Sequence, residues 1–357
     1  MSVYALCGGG TAGHITPLIA VYEQLLALDP AAQFVVIGTE GGRERELLPS
    51  ALDDVLAVPR LPFPRKLSGY AVSFVPRWIS AVITLAKTLR QRRVDAVVGF
   101  GGYTAAPAYL AAWIARIPLV VHEANALPGM ANRLASLLTP HVAVCFPGTP
   151  LRRARVVGMP LRRAIVDARG VSTTQARKHF GLSARKPLLL VTGGSTGAQS
   201  INRTVEACRS DLVQSGWQVL HLIGRDNEVP RDNPHGFVSL GYTDRMDLAL
   251  AAADLVISRA GAATVSELEV MGKPAVFVPY HVGNGEQQKN AAHAVAGGGA
   301  IVVSNSQFTP EWVRGELLAL MADSPRRESM AKAMSRLGVR DGAYQVAAMA
   351  RDAVGRG

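Results

Sequence analysis

Several short loops in this sequence carry the residue types that hold anionic oxygen or move a proton. Gly8-Gly9-Gly10-Thr11-Ala12-Gly13 has the spacing GxGxxG and is followed at once by His14. Glycines so spaced allow a tight turn and close backbone approach, and a helix opening there points unpaired amides at phosphate. By itself the match admits a dinucleotide site, with Glu40 as ribose acid, although Glu40 stands further along than that pattern asks. It admits equally a turn whose glycines serve packing alone. A second loop, Gly193-Gly194-Ser195-Thr196-Gly197, and a third, Ser258-Arg259-Ala260-Gly261-Ala262-Ala263-Thr264-Val265-Ser266-Glu267, repeat the arrangement. At the third, diphosphate can sit on the helix start while Glu267, one turn in, accepts hydrogen bonds from ribose hydroxyls; capping or dipole compensation is the plainer alternative. Glu269, two residues on, points elsewhere on a helix. His122-Glu123-Ala124-Asn125 supplies either general-base candidates or a hydrogen-bonded core pair. Gln287-Gln288 offer paired donors and acceptors suited to sugar hydroxyls.

Such loops need strand ends to carry them. Val3–Cys7, Gln33–Gly38, Asp54–Val58, Asp95–Phe100, Pro118–His122 and His141–Cys145 read as strands, with helices over about 17–29, 105–115 and 129–138 among them. Gly101-Gly102-Tyr103-Thr104 follows the fourth strand. The pattern restarts at Pro187–Thr192 and runs through Gln218–Ile223, Phe237–Leu240, Leu255–Ser258, Ala275–Pro279 and Ala300–Val303. Alternation of this kind predicts an α/β chain with two Rossmann-like, doubly wound parallel domains, 1–158 and 159–341, and ligand in a cleft at the carboxyl ends of their strands. A final helix within 342–357 is expected to pack back on the first domain.

The 357 residues suffice for two such cores, and 48% hydrophobic with 18% charged residues excludes a disordered or collagen-like chain. Lys plus Arg number 38 against 27 Asp plus Glu, a net +11 that favours an anionic partner. No helix-turn-helix, RRM or zinc signature accompanies the charge, so nucleic acid is not expected. Cys7, Cys145 and Cys208 form no CxxC pair, in keeping with a reducing compartment. No run is long and apolar enough to span a bilayer. From Val58 to Arg93 there are eight basic residues and no acid, interleaved with large apolar ones. Phe74, Trp78, Val82 and Leu85 recur there at helical spacing, which suits either the headgroup boundary of an anionic bilayer or an ordinary core-facing helix.

Taken together, Gly9–His14, Gly101–Tyr103, His122–Asn125, Gly193–Ala198 and Arg259–Glu267 stand in the order of a known family. Over nearly its whole length the chain resembles the MurG family, the UDP-N-acetylglucosamine–N-acetylmuramyl-(pentapeptide) pyrophosphoryl-undecaprenol N-acetylglucosamine transferases. The resemblance implies a GT-B fold, with a first domain for lipid acceptor and membrane and a second for UDP-GlcNAc. It implies inverting transfer of GlcNAc from UDP-GlcNAc to the MurNAc 4-hydroxyl of lipid I, giving lipid II, by a peripheral protein at the cytoplasmic face of the plasma membrane. Cell-wall synthesis proteins are possible partners. No cofactor or metal is implied, because helix N-termini and a cation can stabilise departing UDP.

Carried over by motif, Thr11, Ala12 and Gly13 approach the donor, and Tyr103, His122, Asn125 and Arg162 contact substrate, Arg162 near the diphosphate. Ser195 binds phosphate, Tyr242 stands on the uracil side, and Ala262, Ala263, Thr264, Val265 and Ser266 line the nucleotide. Glu267 holds ribose, while Gln287 and Gln288 read GlcNAc hydroxyls, the main contact being open between them. His14 is the preferred general base and Glu123 the alternative. Phe74, Trp78, Ile79 and Val82, amid Arg65, Lys66 and Arg77, become the expected membrane patch. Two residues depart from the family pattern: Ala12 replaces a common glycine and Ala124 a frequent glutamine. Competing readings are another GT-B glycosyltransferase, a UDP-GlcNAc sensor without turnover, and a dinucleotide-dependent oxidoreductase, which leaves the second-half motifs unexplained.

Overall fold

The computed structural model describes residues 1–9, 12–40, 48–59, 69–102, 104–280 and 284–355. The chain divides into two compact units, one of Met1–Arg162 with Asp341–Gly357 and the other of Arg163–Arg340.

In the first unit the strands are β1 (Val3–Cys7), β2 (Gln33–Thr39), β3 (Val55–Val58), β4 (Ala96–Gly99), β5 (Leu119–Glu123), β6 (His141–Val144) and β7 (Ala154–Val156). They pair in parallel in the order β3-β2-β1-β4-β5-β6-β7. The helices are α1 (Ala12–Leu28), α2 (Gly69–Gln91), α3 (Ala105–Ala115) and α4 (Met130–Leu138). In the second unit, β8 (Leu188–Thr192), β9 (Gln218–Leu222), β10 (Phe237–Leu240), β11 (Leu255–Ser258), β12 (Ala275–Phe277) and β13 (Ala300–Val302) form a parallel sheet, β10-β9-β8-β11-β12-β13. Its helices include α5 (Gln199–Ala207), α6 (Ala262–Met271) and α7 (Glu286–Ala296). The last helix, α8 (Gly342–Val354), belongs to the first unit.

Parallel strands covered on both faces read as near-continuous apolar runs, and all five residues of β8 are buried. Successive side chains of a strand leave on opposite faces. Thus Ala5 and Cys7 of β1 pack with Val82, Leu85 and Leu89 of α2 and the alanines of α3, while Tyr4 and Leu6 pack with α1 and α8. Leu18, Val21 and Leu25 of α1 share that second core with Val346, Ala347 and Ala350 of α8.

Three elements differ from the sequence expectation. Helix α1 opens at Ala12, not Pro17, so Pro17 lies inside it and forfeits one bond to the Gly13 carbonyl. Strand β7 follows the last strand expected in the first domain and is not among the expected strands; it has three exposed residues at the sheet edge, one of them Arg155, and so shows no apolar pattern. The third concerns α2. Phe74 and Val82 are 5% and 3% exposed and Trp78 packs against the core, so the expected membrane patch loses these three. Ile79 remains outside, 47% exposed, with Val75 at 54% and Ile83 at 44%. Residues four apart share a helix face, and here the Phe74–Trp78–Val82 face packs inward while the Val75–Ile79–Ile83 face is exposed. Arg77 is exposed, whereas Arg65 and Lys66 lie outside the described residues. Among the described residues, no helix is long and apolar enough to cross a membrane.

Candidate active site

In each sheet the strand order reverses direction once, between β1 and β4 and between β8 and β11. Loops leaving adjacent strands at such a point diverge and open a crevice at the carboxyl ends. The glycine-bearing loops leave these four strands.

In the first unit, the loops after β1 and β4 meet backbone to backbone. Gly102 has φ +93°, and a Cβ there would stand 2.3 Å from the Gly9 carbonyl oxygen, so only glycine fits. His14, half-buried in the first turn of α1, has Nδ1 3.0 Å from that same carbonyl. A carbonyl can only accept, so Nδ1 carries the hydrogen and Nε2 the lone pair, the tautomer able to take a proton. Glu123 ends β5 and is 4% exposed. Its Oε1 accepts from Asn125 N at 2.8 Å, and its Oε2 from Gly129 N at 3.0 Å and Asn132 Nδ2 at 2.9 Å. His122 is wholly buried, its Nε2 2.9 Å from the Gly158 carbonyl, and burial pushes its pKa down to about 4. It is a neutral ring joining β5 to the turn at Gly158. Arg162 is half-buried, with an Nε that has no hydrogen-bond partner among the described residues.

In the second unit, α6 begins at Ala262 behind Gly261, whose extended backbone caps it without a side-chain bond and with no acid in the first turn. The amides of the first turn therefore have no intrahelical acceptor and lie at the positive end of the helix dipole. Arg259, just before, ties the segments that follow β12 and β13 to the start of α5. Its Nη1 donates to the Val278 carbonyl at 2.8 Å and to Asn305 Oδ1 at 2.9 Å, and its Nη2 to Ser200 Oγ at 3.0 Å. Asn290 of α7, fully buried, donates to the Ala260 carbonyl at 3.3 Å. Gln287 Oε1 accepts from Tyr280 N at 2.9 Å, whereas Gln288 is exposed. Ser195 is exposed in the loop after β8, and its carbonyl accepts from Arg225 N at 3.0 Å. The Arg225 guanidinium lies 4.1 Å over the ring of Tyr242, a cation–π pair beside the strand end of β10. Glu267 is half-buried, while Glu269 turns inward and pairs with His293 Nδ1 at 3.3 Å. That bond raises the His293 pKa above its usual value.

Comparison with known proteins accords with this architecture. The glycosyltransferase family 28 N-terminal domain matches residues 4–144, and the C-terminal domain of the same family matches 188–346. A crystal structure of Acinetobacter baumannii MurG superposes with a TM-score of 0.79 at 27% identity, covering 99% of this chain and all of that one (100%). A relative from Clavibacter sepedonicus, named UDP-N-acetylglucosamine–N-acetylmuramyl-(pentapeptide) pyrophosphoryl-undecaprenol N-acetylglucosamine transferase, is 50% identical over 99% of this chain and 97% of its own length. One of the same name from Leifsonia xyli is 49% identical over 98% of each. This chain belongs to the MurG family. It is a glycosyltransferase with two parallel-sheet domains, as a GT-B fold has.

Of the residues expected from the MurG family motifs, Thr11 and Tyr103 lie outside the described residues, and Ala12 and Gly13 form the start of α1. Both of the expected residues on β5 are buried. His122, expected to touch substrate, is sealed in the core, because the last inward position of β5 faces the packed turn at Gly158. Glu123, the alternative base, has both oxygens engaged by backbone and amide donors and so ties down the loop that follows β5. Val265 is fully buried, so its side chain lines the core and only its backbone can face a nucleotide. Asn132, Tyr109, Asn290 and Asn305 were missed, since lone amides and a tyrosine inside helices or loops carry no spacing signal. Arg259 was legible only as part of its motif.

Proposed function

We propose that this chain transfers GlcNAc from UDP-GlcNAc to the MurNAc 4-hydroxyl of undecaprenyl-pyrophosphoryl-MurNAc-pentapeptide (lipid I), with inversion, forming lipid II in peptidoglycan biosynthesis. The observation that carries this reading is the match along 99% of the chain, at 50% identity, to a relative named for that transfer. His14 Nε2 takes the proton of the acceptor hydroxyl as its oxygen bonds to the anomeric carbon. The bond from that carbon to the UDP oxygen breaks, and both its electrons leave with UDP. Charge gathering on the diphosphate is met by the Gly193–Gly197 loop, with Ser195, and by the first-turn amides of α6, Ala262 to Thr264, with Val265 and Ser266 lining the nucleotide beyond them. Arg162 adds a cation, Glu267 accepts from the ribose hydroxyls, and Tyr242 borders the uracil. By family motif, Asn125, Gly13, Thr11, Ala12 and Tyr103 complete the substrate contacts. Gln288 is the main reader of GlcNAc hydroxyls, because Gln287 already spends its carbonyl oxygen on Tyr280.

A lipid-linked acceptor requires docking, and we assign it to the exposed Val75–Ile79–Ile83 face of α2 with Arg77 beside it and Lys87 one turn on, against the anionic cytoplasmic face of the membrane. Transfer of labelled GlcNAc from UDP-GlcNAc to a lipid I analogue, with and without EDTA, tests the reaction. Label in the disaccharide lipid, undiminished by EDTA, is expected. Binding of UDP-GlcNAc without transfer would move the assignment to another acceptor or to a sensor.

A further inference from the structure

Tyr109 is wholly buried in the middle of α3, yet its hydroxyl stands between the turn after β4 and Asn132 of α4. It accepts from Gly101 N at 3.1 Å and lies 2.8 Å from Asn132 Oδ1. Asn132 Nδ2 in turn faces Glu123 Oε2 at 2.9 Å and the His122 carbonyl at 3.3 Å. Both of those atoms only accept, so the Asn132 amide cannot turn over. Its Oδ1 must then receive the phenolic proton, and the phenol oxygen must receive the Gly101 amide hydrogen. Every donor in the relay is thus set from the carboxylate end. At its other end a Cβ on Gly101 would stand 3.5 Å from His14 Nε2 and 3.3 Å from Asn132 Nδ2, so this backbone lies between the imidazole and the amide. The tyrosine ring reaches this place because Gly99 has no side chain; a Cβ there would come within 2.1 Å of it.

We propose that Tyr109 is a positioning residue for the transfer reaction: through Gly101 it holds the turn after β4 against His14 and couples that turn to the Glu123 loop. The inference rests on the reading of His14 as the base. Tyr109→Phe keeps the ring and removes the hydroxyl, leaving the Gly101 amide and Asn132 Oδ1 unsatisfied. A displaced turn is expected to lower kcat by ~10- to 100-fold, with KM for UDP-GlcNAc unchanged within about twofold, since the residues assigned to ribose and uracil, Glu267 and Tyr242, stand in the second unit. In a His14→Ala background the same substitution should cost nothing further, because residues acting as one unit are not additive. An equal fold-loss in both backgrounds, or a kcat within about twofold of wild type with only the melting temperature lowered, would overturn the proposal and leave Tyr109 a packing residue. Should Tyr109→Phe not fold, Asn132→Ser breaks the relay one link on and the same non-additivity with His14 is expected. The wild-type chain is the control that separates the two readings, since an inactive parent overturns the transferase assignment itself.

Discussion

A carboxylate accepts hydrogen bonds and donates none, and Glu123 uses both oxygens on that footing. Its donors are the amides of Asn125 and Gly129 and the side chain of Asn132. Glu123→Gln puts an NH2 where one of these donors must point, so a buried N–H loses its partner at a cost of about 1–3 kcal/mol. The expected result is a lower urea midpoint with an unchanged slope, and a loss of transfer no larger than the displaced loop accounts for. A variant as stable as wild type that has lost all transfer would make Glu123 the base after all. Glycine loops, His14 and the Glu267 junction were legible in the sequence because their chemistry depends on near neighbours along the chain. Asn132 and Tyr109 were not, since the bond between them joins positions 23 residues apart and neither end differs in pattern from an ordinary helix residue.

At the scale of elements, alternating apolar runs and helical patterns located the strands that frame both sites, because buried parallel strands tolerate little else. Pattern failed where an element has two apolar faces. Along α2, Phe74, Trp78 and Val82 repeat at the same interval as Val75, Ile79 and Ile83, and only packing decides which stripe turns inward. The distinction is testable. Ile79→Glu with Ile83→Glu removes two side chains able to enter the headgroup boundary, each worth about 1.5–3 kcal/mol if fully transferred. Partitioning onto anionic liposomes should fall by at least tenfold, while affinity for UDP-GlcNAc stays the same. Phe74→Glu should act differently, burying a charge in the first unit and lowering its stability. If the double variant partitions as wild type does, the docking face lies elsewhere on the molecule.

For the whole molecule, the two units share a feature that links stability to pH. Each holds a histidine ring sealed in its core, His122 in the first and His221 in the second, 0% and 2% exposed. Desolvation pushes both pKa values from 6.5 to about 4. The folded rings therefore stay neutral while the unfolded chain begins to bind protons near pH 6.5. Their contribution is complete above that value and is lost as pH falls toward 4, up to about 3 kcal/mol for each ring. His293 runs the other way: its pKa is raised by the bond to Glu269, so the stability it adds is present in acid and fades as pH rises through that raised value. Partly exposed, it opposes the buried pair only weakly. Melting temperature is thus expected to be highest near neutrality and to drop steeply between pH 6.5 and 4. His221 Nε2 stands 3.1 Å from Asn202 Oδ1, a bond that glutamine can also donate. His221→Gln should accordingly flatten the acid limb of the second unit and leave that of the first, read by calorimetry across the same range. An acid limb identical to wild type in this variant would mean that the carboxylates, rather than the buried rings, set the acid stability of the fold.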